Sequence, residues 1–248
     1  MRLDLALVAR GLARSRAQAQ AAIRAGRVEL NGRVASRPAQ PVDDGDLVSL
    51  TSPDHYVSRA AHKLAGAIAA SGVRIPPRVL DAGASTGGFT QVLLEAGVHA
   101  VYAVDVGHDQ LAPELRADPR VRVRERLNLR DLTLADLDGE PVDLVVADVS
   151  FISLTLLLAP LFAVLSSAGS ALLLVKPQFE VGRGGLDDRG VVRDEAARAR
   201  AVAAVIAAAT RLGKRAVWQA PSELPGESGN VEYFVHFTGL EAGVSRAD

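Results

Sequence analysis

The 248-residue sequence contains no cysteine, which rules out a disulfide framework, a thiolate nucleophile and a cysteine-bound zinc site, and leaves a reducing compartment open. Its five histidines are scattered without metal-ligand spacing, so His62 is not read as a ligand and no metal is expected. A signal-peptide shape is missing as well. Arg10, Arg14 and Arg16 break every early apolar run, and a cytoplasmic protein is expected. Uncharged runs of membrane length are absent with one exception, residues 156–175, LLLAPLFAVLSSAGSALLLV. Pro160 interrupts that run and SSAGS at 166–170 is turn chemistry, so it divides into one amphipathic helix and one short buried strand.

Charge is unevenly spread. Residues 1–50 carry eight arginines against five acids, and every acid after Glu29 follows the last of those arginines. The first forty residues therefore form a basic unit suited to an anionic partner. This segment predicts two short helices, a turn at AGR, and strands broken by NG and DDGD. Arg14-Ser15-Arg16 falls where the second helix begins, so guanidinium forks and free backbone N–H groups share one side there. As a charge run alone this reads first as a solvated helical face. The stretch RLDLALVARGLARSRAQAQAAIRAGRVELNGRV resembles the αL-type RNA-binding domain named after the fourth small-subunit ribosomal protein. The resemblance implies docking on structured RNA, with Arg2, Arg10, Arg14, Arg16, Arg24, Arg27 and Arg33 as the candidate contacts. Pro53 and its polar neighbours then mark a boundary, giving units at 1–51 and 59–240, a linker at 52–58 and a tail at 241–248.

In VLDAGASTGGFT, residues 79–90, a hydrophobic strand ends at Asp81 and glycines follow, with a helix expected from near Thr86. Asp105 ends a second strand, HAVYAVDV, 22 residues beyond Gly83, the spacing at which an acid meets ribose hydroxyls. A dinucleotide would need Gly-x-Gly-x-x-Gly, whereas this loop misplaces its glycines and sets a carboxylate where a phosphate would lie. S-adenosylmethionine, with a ribose, an ammonium and a sulfonium but no phosphate, fits better. The candidate cofactor residues are Asp81, Gly83, Ser85, Thr86, Gly87, Gly88, Phe89, Asp105, Asp148 and Asn128, the last an adenine-side contact or a turn former.

Lysine is scarce, occurring only at Lys63, Lys176 and Lys214 among 28 basic residues. Lysine differs from arginine as a compact charge that responds to burial. Lys176 ends the apolar strand SALLLV before Pro177, and Asp148 ends PVDLVVAD, so both sit at the carboxyl edge of a parallel sheet. Glu232 opens the last strand, NVEYFVHF, and shares that edge if the strand is antiparallel. Lys63 lies on the helix SRAAHKLAGAIAAS. From the residues alone these charges are equally ion pairs at a sheet rim. The glycine-rich segment 177–193 is equally a mobile lid or a surface loop, and Phe179 either stacks on a base or is buried.

The stretches HYVSRAAHKL, LDAGASTGGFT, VYAVDVG, DLVVADVSFISL, LVKPQFEVGRGG and PGESGNVEYF together resemble the TlyA family, haemolysin-named methyltransferases acting on ribosomal-RNA 2′-oxygens, with an FtsJ-like domain. The resemblance implies a Lys-Asp-Lys-Glu tetrad, falling on Lys63, Asp148, Lys176 and Glu232, and cytidine substrates. It implies an α/β fold, a Rossmann-like S-adenosylmethionine-dependent sheet of seven strands with the last antiparallel, behind a small α+β RNA-binding domain. A ribose hydroxyl is a poor nucleophile and the methyl sulfonium an activated donor, so alignment and loss of one proton are the tasks. Lys176 then stands nearest the hydroxyl, Asp148 orients it or approaches the methionine ammonium, and Lys63 and Glu232 complete a charge square around the ribose.

Two other readings compete. A pseudouridine synthase often carries the same N-terminal domain, but needs no cofactor loop. A membrane-acting haemolysin would rest on residues 156–175. The chain opens at MRLDLALVARGL and stops soon after VHFTGL, as in the shorter of the family's two forms, which points to large-subunit RNA or the large ribosomal subunit as partner. DHYV stands where the family has an RAWV-like tetrapeptide.

Overall fold

A computed structural model of the chain describes residues 1–13, 15–50, 55–226 and 228–239, in two compact units, Met1–His55 and Tyr56–Asp248. Arg14, part of the expected linker and the expected tail lie outside the described residues.

The first unit packs helices α1 (Leu3–Ala9) and α2 (Arg16–Arg24) with an antiparallel sheet of β1 (Val28–Leu30), β2 (Arg33–Val34) and β3 (Val48–Leu50). Ser15 starts α2 by accepting the Gln18 backbone N–H at 3.2 Å. Asn31 and Gly32 both take positive φ, 53° and 76°, which supplies the tight hairpin turn expected at NG. Leu3, Leu7, Ile23 and Val28 fill the core. Beside them, Asp4 is wholly buried and gathers Arg2, Arg16 and Gln20.

The second unit opens with α3 (Ala60–Ser71), then alternates β4 (Arg78–Ala82), α4 (Gly88–Glu95), β5 (Ala100–Val104), α5 (Pro113–Arg116) and β6 (Val121–Arg124). It continues through β7 (Val142–Ala147), α6 (Leu158–Ala163), β8 (Leu165–Val175), α7 (Glu195–Arg211), β9 (Lys214–Pro221) and β10 (Tyr233–Gly239). The seven strands run in the order β6-β5-β4-β7-β8-β10-β9, and β10 is antiparallel to both its neighbours. Alternate side chains serve opposite faces, as a sheet covered on both sides requires. Leu144 and Val146 join α3 and α4, whereas Val145 and Ala147 join α6 and α7. Strand order reverses between β4 and β7, which opens a crevice at their carboxyl ends.

Two local expectations are corrected. The helix after the glycine loop begins at Gly88 instead of near Thr86, because a turn closed by the Gly87 N–H on the Ala84 carbonyl intervenes. Residues 166–170 are not a turn between helix and strand but part of β8. Their turn chemistry shows instead as a ladder irregularity: pairing jumps from Val142 with Leu165 to Leu144 with Ser170. The helix-plus-strand division of 156–175 stands, and among the described residues no helix is long and apolar enough to cross a membrane.

Candidate active site

Strand ends and one helix bring the charged groups together. Asp148 follows β7 and Lys176 follows β8, two parallel neighbours, so both leave the sheet on the same edge. Glu232 directly precedes β10, whose Tyr233 pairs with Val175, so the antiparallel strand starts on that edge too. Lys63 comes from α3 and is buried. Its Nζ lies 2.7 Å from Glu232 Oε2, and Gln178 Nε2 donates to Glu232 Oε1 at 3.1 Å. Lys176 Nζ lies 2.5 Å from Asp148 Oδ1 and donates to Ser150 Oγ at 2.8 Å. Two lysine–carboxylate pairs therefore stand in one cleft of about 720 Å³, each with a neutral polar neighbour.

The same cleft is lined by Gly83, Ser85, Thr86, Gly88 and Phe89 of the glycine loop. Gly83 is required on two counts: its φ is 85°, and a Cβ there would lie 2.7 Å from the Asp148 carbonyl oxygen. The glycine thus lets the ends of β4 and β7 touch. Asp105 stands behind the lining and fixes the loop, accepting the Ser85 N–H at 2.8 Å and the Gly107 N–H at 2.7 Å.

Other expected cofactor residues fall outside the lining. Asp81 is wholly buried; Oδ2 accepts the Thr90 hydroxyl at 2.6 Å, while Oδ1 has no hydrogen-bond partner among the described residues. Burial pushes its carboxyl up to about 7; the Thr90 hydroxyl opposes the rise, and the charges of Asp148 and Asp105 add to it. Gly87 makes the turn into α4, with φ 99°. Asn128 turns its side-chain oxygen to the Arg130 backbone N–H, at 3.1 Å, the role of a turn former.

The segment at 177–193 is fastened at several points. Glu180 accepts the Ser153 hydroxyl at 2.6 Å and the Leu154 N–H at 2.7 Å, which ties the loop after β8 to the loop after β7. Buried Asn230 takes the Val192 N–H and donates to the Gly190 carbonyl, both at 3.0 Å. Phe179 lines the cleft, 5.4 Å from the ring of Phe151. Phe151 is 92% exposed and has φ 64°, a left-handed conformation unusual for so large a residue.

Ser150, Phe151, Gln178, Glu180 and Asn230 were not singled out from sequence. Ser150 and Gln178 each stand two residues beyond a strand-end charge, at Asp148 and Lys176, and that spacing was the available signal. In the first unit, Arg2 and Arg16 bond Asp4, and Arg10 bonds the Asp43 and Asp46 carbonyls. Arg24 and Arg33 are exposed and Arg27 half-buried, without ion pairs among the described residues.

Residues 56–238 match the FtsJ-like methyltransferase family, and residues 1–48 match the S4 domain. Over 237 residues the chain is 51% identical to the 16S/23S rRNA (cytidine-2′-O)-methyltransferase TlyA of Mycobacterium tuberculosis, covering 94% of this chain and 88% of that protein. Over 196 residues it is 38% identical to the 23S rRNA (cytidine-2′-O)-methyltransferase TlyA of Campylobacter jejuni, covering 78% and 75%. A solved structure titled as a haemolysin from Streptococcus thermophilus superposes with a TM-score of 0.76 at 37% identity, covering 97% of this chain and 89% of that one. With matches spanning both units, the chain belongs to the FtsJ-like methyltransferase family, in its TlyA branch, with an S4 domain at its N-terminal side.

Proposed function

We propose that this protein transfers a methyl group from S-adenosylmethionine to the 2′-hydroxyl of a cytidine in ribosomal RNA, with the 23S RNA of the large subunit as favoured target. The observation that carries the proposal is the pair of lysine–carboxylate contacts, Lys63–Glu232 and Lys176–Asp148, in the cleft that the glycine loop lines. Both named relatives act on 23S RNA by their names, and only one of the two names includes 16S RNA.

The residues present fit the cofactor. Asp105 keeps lone pairs for ribose hydroxyls beyond its two backbone donors, and Ser85 and Thr86 line the cleft beside it. The carboxylate of Asp148, which lines the cleft, supplies negative potential suited to an ammonium and a sulfonium. When bound, S-adenosylmethionine supplies a methyl on cationic sulfur, which departs as a neutral thioether once the ribose oxygen has taken the methyl.

Lys176 Nζ stands nearest the 2′-hydroxyl in this reading, and takes its proton or offsets the charge left as that proton departs. Asp148 holds the lysine, and the Lys63–Glu232 pair with Gln178 binds the ribose. Phe151 and Phe179 offer ring faces on which an unstacked base can rest. The arginines of the N-terminal unit, Arg24, Arg27 and Arg33 above all, contact phosphates. Nuclease digestion and mass spectrometry of RNA treated with enzyme and cofactor test the proposal: 2′-O-methylcytidine is expected, and a base-methylated nucleoside would overturn it.

A further inference from the structure

Lys176 makes one aligned hydrogen bond among the described residues, and its acceptor is not Asp148. Asp148 Oδ1 lies 2.5 Å away as an ion-pair partner, yet it has no aligned hydrogen bond of its own. The aligned bond goes to Ser150 Oγ at 2.8 Å. A carboxylate attracts an ammonium from many directions, whereas a hydrogen bond fixes one N–H vector. Asp148 therefore sets where the charge of Lys176 is held, and Ser150 sets how Nζ is turned.

We propose that Ser150 is the residue that orients Lys176 for methyl transfer. The nitrogen is tetrahedral. With Cε in place, the bond to Ser150 fixes how the other two directions of Nζ are turned, and in this proposal one of them faces the cleft that all three residues line. That direction carries the lone pair of a neutral lysine or the third N–H of a charged one, so the orienting role is the same whichever form reacts.

The backbone around Ser150 is built to hold it. The next residue, Phe151, turns the chain with its φ of 64°. Three and four residues on, Ser153 and Leu154 are fixed by Glu180, which sits four residues beyond Lys176 itself. The loop bearing the acceptor and the loop bearing the donor are thus tied to each other just beyond the Lys176–Ser150 bond. A serine hydroxyl in place of a third carboxylate directs Nζ without adding charge beside Asp148.

The inference rests on the methyl-transfer reading, in which Lys176 faces the ribose hydroxyl. Its test compares wild type, Ser150→Ala, Ser150→Thr and Lys176→Ala by steady-state methyl transfer to unmodified large subunits, with cofactor affinity and melting temperature measured for each. Ser150→Ala is expected to lower kcat by about 10- to 100-fold, the cost of a reacting group out of line, with KM for RNA and cofactor affinity within about two-fold. Ser150→Thr, which keeps the hydroxyl, is expected to recover most of kcat. A fully active Ser150→Ala beside an inactive Lys176→Ala would overturn the inference and leave the function standing. A loss confined to KM, or an equal loss in the Ala and Thr variants, would overturn it also. A wild type without transfer, or a Lys176→Ala variant with full transfer, would overturn the proposed function and the inference together.

Discussion

Lys63 and Glu232 lie 169 residues apart in the chain, and their side chains meet at 2.7 Å with 10% and 2% of their surfaces exposed. A pair so withdrawn from water is held by mutual compensation, since either charge left alone would be buried without a partner. Lys63→Met is therefore expected to cost about 3–5 kcal/mol of stability. The double variant Lys63→Met/Glu232→Leu is expected to regain most of that stability while methyl transfer stays lost. Denaturant titration checks the first part and RNA methylation the second; a double variant that regains activity would show that the pair serves the fold alone.

Asp81 gives the second unit an unusual pH dependence. Its folded carboxyl is pushed up to about 7 from an ordinary value near 3.8, chiefly by burial. The folded state therefore holds a proton that the unfolded state has released between those values, and stability contributed by Asp81 falls as pH rises through that window. The slope approaches about 1.4 kcal/mol per pH unit and levels off above pH 7. Asp81→Asn is expected to remove this component, measured by urea unfolding at a series of pH values between 4 and 8. Identical slopes in the two proteins would contradict it.

The N-terminal unit is expected to show the opposite sign. Hydrogen bonds from Arg2 and Gln20, with Arg16 adding to them, hold the Asp4 carboxyl well below the usual carboxylate range. Its contribution is complete above that range and is lost as pH falls below about 4. Thermal unfolding of α1 and α2, followed by backbone NMR resonances, should move to lower temperature with falling pH in wild type. Asp4→Asn should be less stable at pH 7 already and lack this dependence, and equal melting at pH 7 would count against the Asp4 cluster.

Phe151 spends backbone strain on an exposed ring, which suits a surface for stacking rather than a core. Phe151→Ala is expected to reduce kcat/KM for RNA by about 1–3 kcal/mol of lost stacking, roughly 5- to 150-fold. Cofactor affinity should stay unchanged, as isothermal titration would report. An unaltered kcat/KM would remove the aromatic pair from the substrate site.

Much of this arrangement was readable from the chain because the informative residues sit at strand ends. Asp148 and Lys176 terminate uninterrupted apolar runs, so the run fixes the strand and the charge marks its edge. Asp105 carried its spacing from Gly83, and the NG pair carried its turn. Ser150, Glu180 and Asn230 left no such trace, since a serine, a glutamate and an asparagine in loops are ordinary until the fold shows which backbone groups they reach. Asp81, expected at the carboxyl edge of its strand as a cofactor contact, is wholly buried, because β4 continues one residue past it and Thr90 of α4 closes over it. SSAGS misled by composition: turn residues inside a strand can relieve a ladder irregularity as well as end the strand.

Lys176, held between Asp148 and Ser150, is the residue proposed to drive methyl transfer to ribosomal RNA. The most direct test of that role is transfer of tritium from labelled S-adenosylmethionine to unmodified large and small ribosomal subunits, by wild type and by Lys176→Ala in parallel. The expected result is label in large-subunit RNA, recovered as an alkali-resistant dinucleotide and lost in the variant. Undiminished transfer by Lys176→Ala, or no transfer by a wild type that binds the cofactor, would contradict the account.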